Sequence, residues 1–313
     1  MSDVLYHALN PAKFRLDGGA MYGIIPKPLW EKQSPPDQLN RIDLALRCLL
    51  IQTESKNILI DTGIGDYHGE KFNLMFDIRS EKNPLALCLK ELNLHPRDIT
   101  DLVISHLHFD HVGGIGVVNT QGLMEPLFPH ATLHLHRDHF AYSEAPSKRD
   151  TGSFHRHYYQ PVLDFYNDRQ QVNWLQGAKG VILTYAKSEK TMPNTLNFLT
   201  SNGHTPHLLH PFDKNFIYLA DIIPTSNHVA IPWVMGYDIM PAVTTADKEN
   251  ILALILEKEL TIIFEHDVNF WGCTLGKNGK GQIVAQDKFA ATTNKIQKIF
   301  CSGPAHNNLN DSL

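Results

Sequence analysis

Apolar residues along this chain gather in short runs that stop at polar or turn-forming residues, the pattern of strands buried in a sheet. Residues 42–51 and 57–61 read as two strands, the second being Asn57-Ile-Leu-Ile-Asp61 followed by Thr62-Gly63. Leu102-Val-Ile-Ser105 reads as another, bounded by Asp98 and Asp101 before it and by Gly113-Gly114 after it. Ala131-Thr-Leu-His134-Leu-His136 alternates like a half-buried strand. Leu208–Phe212 and Phe216–Ala220 read as a hairpin around Asp213-Lys-Asn215. A helical period appears twice. Asn83-Pro84 offers a cap and a first-turn proline, and Leu85, Leu87, Cys88, Leu89 and Leu92 give the apolar side of a helix ending near Leu94. Thr245-Ala-Asp247 starts a longer helix whose apolar positions run from Ile251 to Leu260.

Three stretches lack a clear period. Residues 14–40 open with a strand and continue as a proline-rich covering loop, where Met21, Tyr22 and Trp30 are the candidates for contact with a ligand. Residues 141–178 hold many aromatic side chains among mixed charges, and read as an insertion with its own small core or as a lid. Residues 302–313 are polar and read as a disordered tail.

The chemistry stands directly after the Leu102–Ser105 strand, in His106-Leu-His108-Phe-Asp110-His111. In extended backbone, His106 and His108 at i, i+2 point to one side, while Asp110 and His111 on the following turn aim at a second position a few Å away. Gly113 and Gly114 let the chain bend sharply there. Imidazoles with one carboxylate suit zinc or a similar first-row ion. A single exposed histidine would be inert; this density after a buried strand is not the pattern of an inert loop. His134 and His136 share the i, i+2 spacing but lack the carboxylate and the glycines, so they read as one face of a strand.

Composition narrows the partners. A net charge of −5 disfavours a nucleic-acid partner, which needs a basic face. Four cysteines without paired spacing read as reduced thiols, with Cys48 and Cys88 in the core. The N-terminus shows no basic region followed by an apolar stretch, and no apolar run approaches the ~20 residues of a membrane span. A cytoplasmic protein without a membrane partner is the expectation.

The His-x-His-x-Asp-His pattern resembles the metallo-β-lactamase-fold superfamily of hydrolases, and the resemblance extends over roughly residues 15–285. It implies an α/β fold, an αββα four-layer sandwich of two mixed β-sheets flanked by helices, with residues 1–301 as a single domain. His204 in Gly203-His-Thr-Pro206 looks like the family's Gly-His-Thr-Pro turn, Asp221 after Phe216–Ala220 like the bridging carboxylate, and His266 after Thr261–Glu265 like the last ligand. The resemblance then gives His106, His108 and His204 to one divalent ion and Asp110, His111 and His266 to another, with Asp221 bridging. Zinc leads; manganese, cobalt and iron suit the same ligands. Asp61 reads either as a turn former or as the partner that orients a ligand histidine. The Pro224–Asp238 loop would lie beside the metals, so His228, Trp233 and Tyr237 read as pocket residues or as parts of a packed loop.

The same resemblance implies hydrolysis. A hydroxide shared by two cations attacks an ester or lactone carbonyl, and Asp110 also carries the proton to the leaving group. Iron-binding oxygen-reducing members have a carboxylate where His108 stands, and the best-known zinc β-lactamases have a cysteine where Asp221 stands, so neither activity is expected. Within the superfamily the chain looks most similar to lactonases of the YtnP-like, quorum-quenching kind, acting on N-acyl-homoserine lactones. Phosphotriester or aryl-ester hydrolysis of the methyl parathion hydrolase type is the alternative, and a non-catalytic metal-binding or sensing protein is the alternative from another class. Acyl-homoserine lactonases often carry a tyrosine three residues after the bridging aspartate; here Pro224 stands there, with Tyr237 or His228 as substitutes. The resemblance admits a homodimer.

Overall fold

Strand alternation decides how the layers stack. In the strand Asn57–Ile60, Ile58 and Ile60 turn into one apolar cluster and Leu59 into another; in Cys48–Gln52, Leu49 and Ile51 part from Cys48 and Leu50 in the same way. A sheet apolar on both faces needs cover on both. The computed structural model, which describes residues 4–185, 194–292 and 294–301, supplies it.

One seven-stranded sheet runs in the order Val172–Leu175, Thr132–His136, Asp101–Val103, Asn57–Ile60, Cys48–Gln52, Leu5–Leu9 and Ile296–Cys301. The first four are mutually parallel and the rest antiparallel. A second seven-stranded sheet runs Lys179–Tyr185, Asn194–Ser201, Leu208–Phe212, Phe216–Tyr218, Thr261–Ile263, Phe270–Lys277 and Ile283–Ala290. Its one parallel pair joins Phe216–Tyr218 to Thr261–Ile263. The cluster between the sheets joins Tyr6, Ile58 and Val103 to Leu196, Ile217 and Ile262. Helices Pro84–Glu91 and Arg156–Asp168 cover the outer face of the first sheet through Leu85, Cys88, Val162 and Tyr166, and helix Pro241–Lys258 brings Ile251, Leu252 and Ile255 onto the second. The order helix, sheet, sheet, helix is the expected four-layer sandwich. No helix among the described residues is long and apolar enough to cross a membrane. Cys48, Cys88 and Cys273 are buried free thiols.

Several elements differ from the sequence-based expectation. The run 42–51 is two strands, Arg41–Ala45 and Cys48–Gln52, and only the second enters the large sheet; the first pairs with Ala12–Asp17 in a small sheet. The chain breaks at Leu46-Arg47 because this joint is zipped onto another segment: Ala45 N–H donates to His266 O and Arg47 N–H to Glu265 O, both at 3.1 Å. The second helix starts at Pro241 rather than Thr245, since proline at the first position brings a preset φ and has no N–H to leave unpaired. The first helix ends at Glu91, and Asn83 caps nothing with its side chain; its backbone N–H donates instead to Asp66 at 2.7 Å.

Residues 141–178 are far more regular than their composition suggests. Helices Arg137–Glu144 and Arg156–Asp168 lead into the parallel edge strand Val172–Leu175. Tyr159, Val162, Leu163 and Tyr166 follow a helical period and are buried, but Pro161 inside the helix interrupts the pattern in the sequence. In the proline-rich stretch, Tyr22 and Trp30 stack on each other in a third apolar cluster, so both serve packing. Residues 302–313 lie outside the described residues.

Gly113 and Gly114 owe their identity to close approach, not to an unusual turn. The segment Asp61–Ile64 lies directly against them, with Thr62 N–H donating to His111 O at 2.8 Å and Gly114 N–H to Gly63 O at 3.1 Å. A Cβ on Gly113 would stand 2.3 Å from Ile64 O, and one on Gly114 2.2 Å from Thr62 O. Both oxygens belong to backbone that cannot yield without moving the metal loop. Gly114→Ala is therefore expected to cost about 1–3 kcal/mol of stability, read from urea unfolding midpoints. Gly69→Ala, where a Cβ meets nothing within 4 Å, is the control and loses none; equal midpoints for the two variants would refute the close-approach account.

Candidate metal centre

The expected ligands come from four separate chain segments and meet at one end of the two sheets. His106 and His108 follow the strand Asp101–Val103, and Asp110 and His111 sit in the single helical turn Phe109–Val112. His204 lies in the turn after Asn194–Ser201, Asp221 in the turn after Phe216–Tyr218, and His266 just past Thr261–Ile263. All seven are buried. His106, His108, His204 and Asp221 bring one ligand atom each within 4.8 Å of one another, as do Asp110, His111 and His266.

Asp221 stands between the two groups. Its Oδ2 is 3.1 Å from His204 Nε2, 3.4 Å from His111 Nε2 and 3.8 Å from His106 Nε2, while its Oδ1 is 3.0 Å from His266 Nε2. Asp110 Oδ2 lies 3.8 Å from His111 Nε2 and 3.7 Å from His266 Nε2.

The hydrogen-bond network fixes which nitrogen of each ring faces inward. Ser105 N–H and Oγ–H both donate to Asp61, at 2.7 and 2.6 Å. Ser105 Oγ then accepts from His106 Nδ1–H at 3.0 Å, which leaves the Nε2 lone pair turned into the centre. His266 Nδ1–H donates to Ala45 O at 2.8 Å and His204 Nδ1–H to Asp238 Oδ1 at 2.9 Å. His111 Nδ1–H donates to Asp61 Oδ2 at 3.1 Å. His108 is turned the other way: its Nδ1 faces His204 Nε2 at 3.2 Å. Two imidazole nitrogens this close share one proton or one cation. His106 Nε2, His111 Nε2 and Asp221 Oδ1 are buried with no hydrogen-bond partner, an arrangement that is costly unless a cation takes their lone pairs. The donor set fits divalent ions.

Electrostatics agree with the geometry. Burial, together with His111 and His108 nearby, holds His106 well below the usual imidazole range, and burial does the same to His108. Burial also opposes charge on His204 and His266, but Asp221 overrides it and pushes them up to about 10 and about 9. Burial resists ionisation of Asp221, yet His111, His204 and His266 hold it well below the usual carboxylate range.

Asp61, buried at a positive φ of 56°, is the partner of both Ser105 and His111. Of the loop residues, Tyr237 lines the cavity above the ligands, whereas His228 and Trp233 do not. His228 has both nitrogens engaged, with Thr225 Oγ1 at 2.7 Å and Met21 O at 2.9 Å, and its ring stacks on Tyr22. Trp233 packs edge-on against Tyr22. Both hold the N-terminal segment onto the loop.

Other residues of the centre were not singled out by the sequence. Glu265 Oε2 lies 2.8 Å from His111 Nδ1, and burial pushes this carboxyl up to about 7; an acid beside a ligand at the end of an apolar strand was the available signal. Asp238 orients His204 from 34 positions away. His139 ties two ligand turns together, accepting from Leu107 N–H and donating to Pro206 O, both at 2.8 Å. Arg47 grips Phe264 O and, at 2.9 Å, Asp267 O, which sets the backbone on either side of His266. Nothing local in the sequence marks these three.

His134 and His136 stay out of the centre. His134 donates to Asp101 at 3.0 Å and accepts from Asn173 at 3.0 Å. His136 lies near Asp138 and His207, but donates to Gly177 O and accepts from Asp138 N–H, so neither nitrogen is free for a metal. A cavity of about 460 Å³ opens over Asp110, Asp221, His108, His204 and His266. Leu16, Met21, Phe76, Phe109 and Met235 give it apolar walls; Arg149, Asp150 and Ser153 complete one side.

Comparison with known proteins follows the same line. The sequence signature of the Metallo-beta-lactamase superfamily matches residues 44–266. An N-acyl homoserine lactonase of Bacillus cereus is 33% identical over 86 residues, 25% of this chain and 34% of that protein. The N-acyl homoserine lactonase AiiB of Rhizobium rhizogenes is 32% identical over 118 residues, 35% of this chain and 39% of that protein. The chain thus spans little more than a third of the length of these curated relatives. Among solved structures, a probable metal-dependent hydrolase from Staphylococcus aureus superposes with a TM-score of 0.76 at 26% identity, over 93% of this chain and 98% of that one. AidC, a dizinc quorum-quenching lactonase, superposes with a TM-score of 0.67 at 19% identity over 93% and 96%, a likeness of fold.

The raised imidazoles have a thermodynamic signature. A group raised from 6.5 on folding adds stability that is complete below 6.5 and is lost as pH climbs through the folded value, here about 9 for His266 and about 10 for His204. The melting temperature of chelator-stripped chain is therefore expected to fall between pH 7 and pH 10. The zinc-loaded chain, with its ligands already deprotonated, escapes that part of the loss. Calorimetry with and without chelator checks this, and parallel pH profiles for the two forms would contradict it.

Proposed function

The chain belongs to the metallo-beta-lactamase superfamily, and on that footing we propose that it is a dinuclear metal-dependent hydrolase of ester bonds, with lactones of the N-acyl homoserine type as its foremost substrates. The observation that carries this reading is Asp221, with one oxygen toward His204 and the other toward His266. A carboxylate so placed would serve two ions at once. In this assignment His106, His108 and His204 hold one ion and Asp110, His111 and His266 the other, with zinc favoured by the imidazole-rich set. Such a pair of ions lowers the pKa of water toward neutrality and polarises an ester carbonyl. The choice of lactone rests on the relatives from Bacillus cereus and Rhizobium rhizogenes, which are N-acyl homoserine lactonases.

The chain's own groups supply the rest. Asp110 lines the cavity floor next to both His111 and His266, where its carboxylate can accept the nucleophile's proton and pass it to the leaving alkoxide. Leu16, Met21, Phe76, Phe109 and Met235 offer an acyl chain apolar contact and keep water from the reacting ester. With Pro224 in the place of the family's tyrosine and His228 engaged elsewhere, the Tyr237 hydroxyl is the donor left to the substrate carbonyl.

Asp110→Ala should abolish hydrolysis while the protein keeps its circular dichroism spectrum; near-normal turnover would sink the mechanism. Tyr237→Phe should lower kcat/KM roughly tenfold or more, the worth of one hydrogen bond to a developing oxyanion. An unchanged value would remove Tyr237 from the reaction. The substrate class is tested by proton release from N-acyl-homoserine lactones of several chain lengths, beside a simple lactone and an aryl phosphotriester, with metal content measured on the same sample. Fast, chain-length-dependent lactone opening with about two metals per chain is expected. Turnover of the phosphotriester alone would keep the centre and discard the lactone, and metal without turnover would favour a non-catalytic binding protein.

A further inference from the structure

Among the described residues, Arg149 is the one Lys or Arg side chain that lines the cavity. Arg15, Arg41, Arg79 and Arg156 each pair with an acidic side chain. Arg149 pairs with none among the described residues: its Nε donates to Asp238 O at 3.3 Å and its Nη2 to Gly236 O. Two carbonyl contacts fix the plane of a guanidinium without neutralising it. They hold the group against the loop that carries Tyr237. Arg149, exposed at the rim, is thus a fixed cation beside a cavity that combines apolar walls with carboxylates and imidazoles.

We infer that Arg149 is a specificity-determining residue that receives a carboxylate carried by an ester substrate away from its scissile bond; this rests on the hydrolase reading above and adds an anionic ester class to the neutral lactones. Its neighbours argue for a single negative charge. Asp150 lies in the same wall and accepts the Tyr142 hydroxyl on both oxygens, at 2.9 and 3.0 Å. One guanidinium beside a carboxylate suits a monoanion, whereas a phosphate monoester calls for further cations that the cavity wall does not offer.

The test uses two esters of one chain length, p-nitrophenyl hexanoate and mono-p-nitrophenyl adipate, which differ by a terminal carboxylate. On the zinc-loaded chain, kcat/KM for the adipate divided by that for the hexanoate is expected to exceed one, and to decline as salt is raised from about 0.05 to 0.5 M. Arg149→Gln should lower this ratio about tenfold or more, and Arg149→Lys should retain most of it. Because Arg149 also braces Asp238, the partner of His204, absolute rates can fall in both variants; the ratio isolates the charge. A ratio below one, or one that neither salt nor Arg149→Gln alters, overturns the proposal while ester turnover itself keeps the hydrolase reading. Should Arg149→Gln fail to fold, the salt series on the unaltered chain decides. Turnover of neither ester and of none of the lactones removes the hydrolase reading, and this proposal with it.

Discussion

Burying five imidazoles and two carboxylates within a few Å is the constraint to which the rest of this protein answers. Separately, each such group would be costly to remove from water. Asp221 makes the arrangement tenable, since its two oxygens face His204, His111 and His106 on one side and His266 on the other. The ring nitrogens that do not face it are committed to Ser105, Asp61, Asp238 and Ala45. The layers of the fold explain how this becomes possible: two sheets packed face to face bring strand ends from distant parts of the chain to one rim, where turns rather than strands carry the chemistry.

The candidate metal loop was legible because its residues are local in sequence. Three histidines and an aspartate within six positions after a buried strand carry their meaning in sequence order, and the family resemblance supplied His204, Asp221 and His266. Residues that act on the centre across the fold carried no such mark. Asp238, Arg47 and Arg149 reach it through contacts between segments tens to hundreds of positions apart, and spacing cannot reveal such contacts. The fold shows the same division. Alternation exposed the central strands, but the break at Leu46-Arg47 arises from pairing with Glu265 and His266, and the helix Arg156–Asp168 was hidden by Pro161 within its period.

Histidine identity by itself says little here. His134 and His136 stand at the same spacing as His106 and His108, and His228 lies in a loop beside the site, yet each has both nitrogens satisfied by protein atoms. His106, His111, His204 and His266 keep Nε2 turned to the candidate metal centre because a neighbour has been provided for Nδ1. A histidine is poised to be a ligand through its second partner, and Asp61, Asp238 and the Ala45 carbonyl supply that partner to the candidate ligands here.

The strand Leu5–Leu9 lies between Cys48–Gln52 and Ile296–Cys301, with Leu5 opposite Cys301. The first sheet is thus finished only by the last described strand, nearly the whole chain after it was begun. During synthesis the ribosome releases the metal-loop strand and its helices long before that partner emerges. Until then Leu5–Leu9 presents an open backbone edge, the kind of surface on which nascent chains aggregate. The high sequence separation of this pairing places closure of the sheet late and makes it slow. A truncated or stalled chain would hold every candidate metal ligand and still be the species most in need of a chaperone.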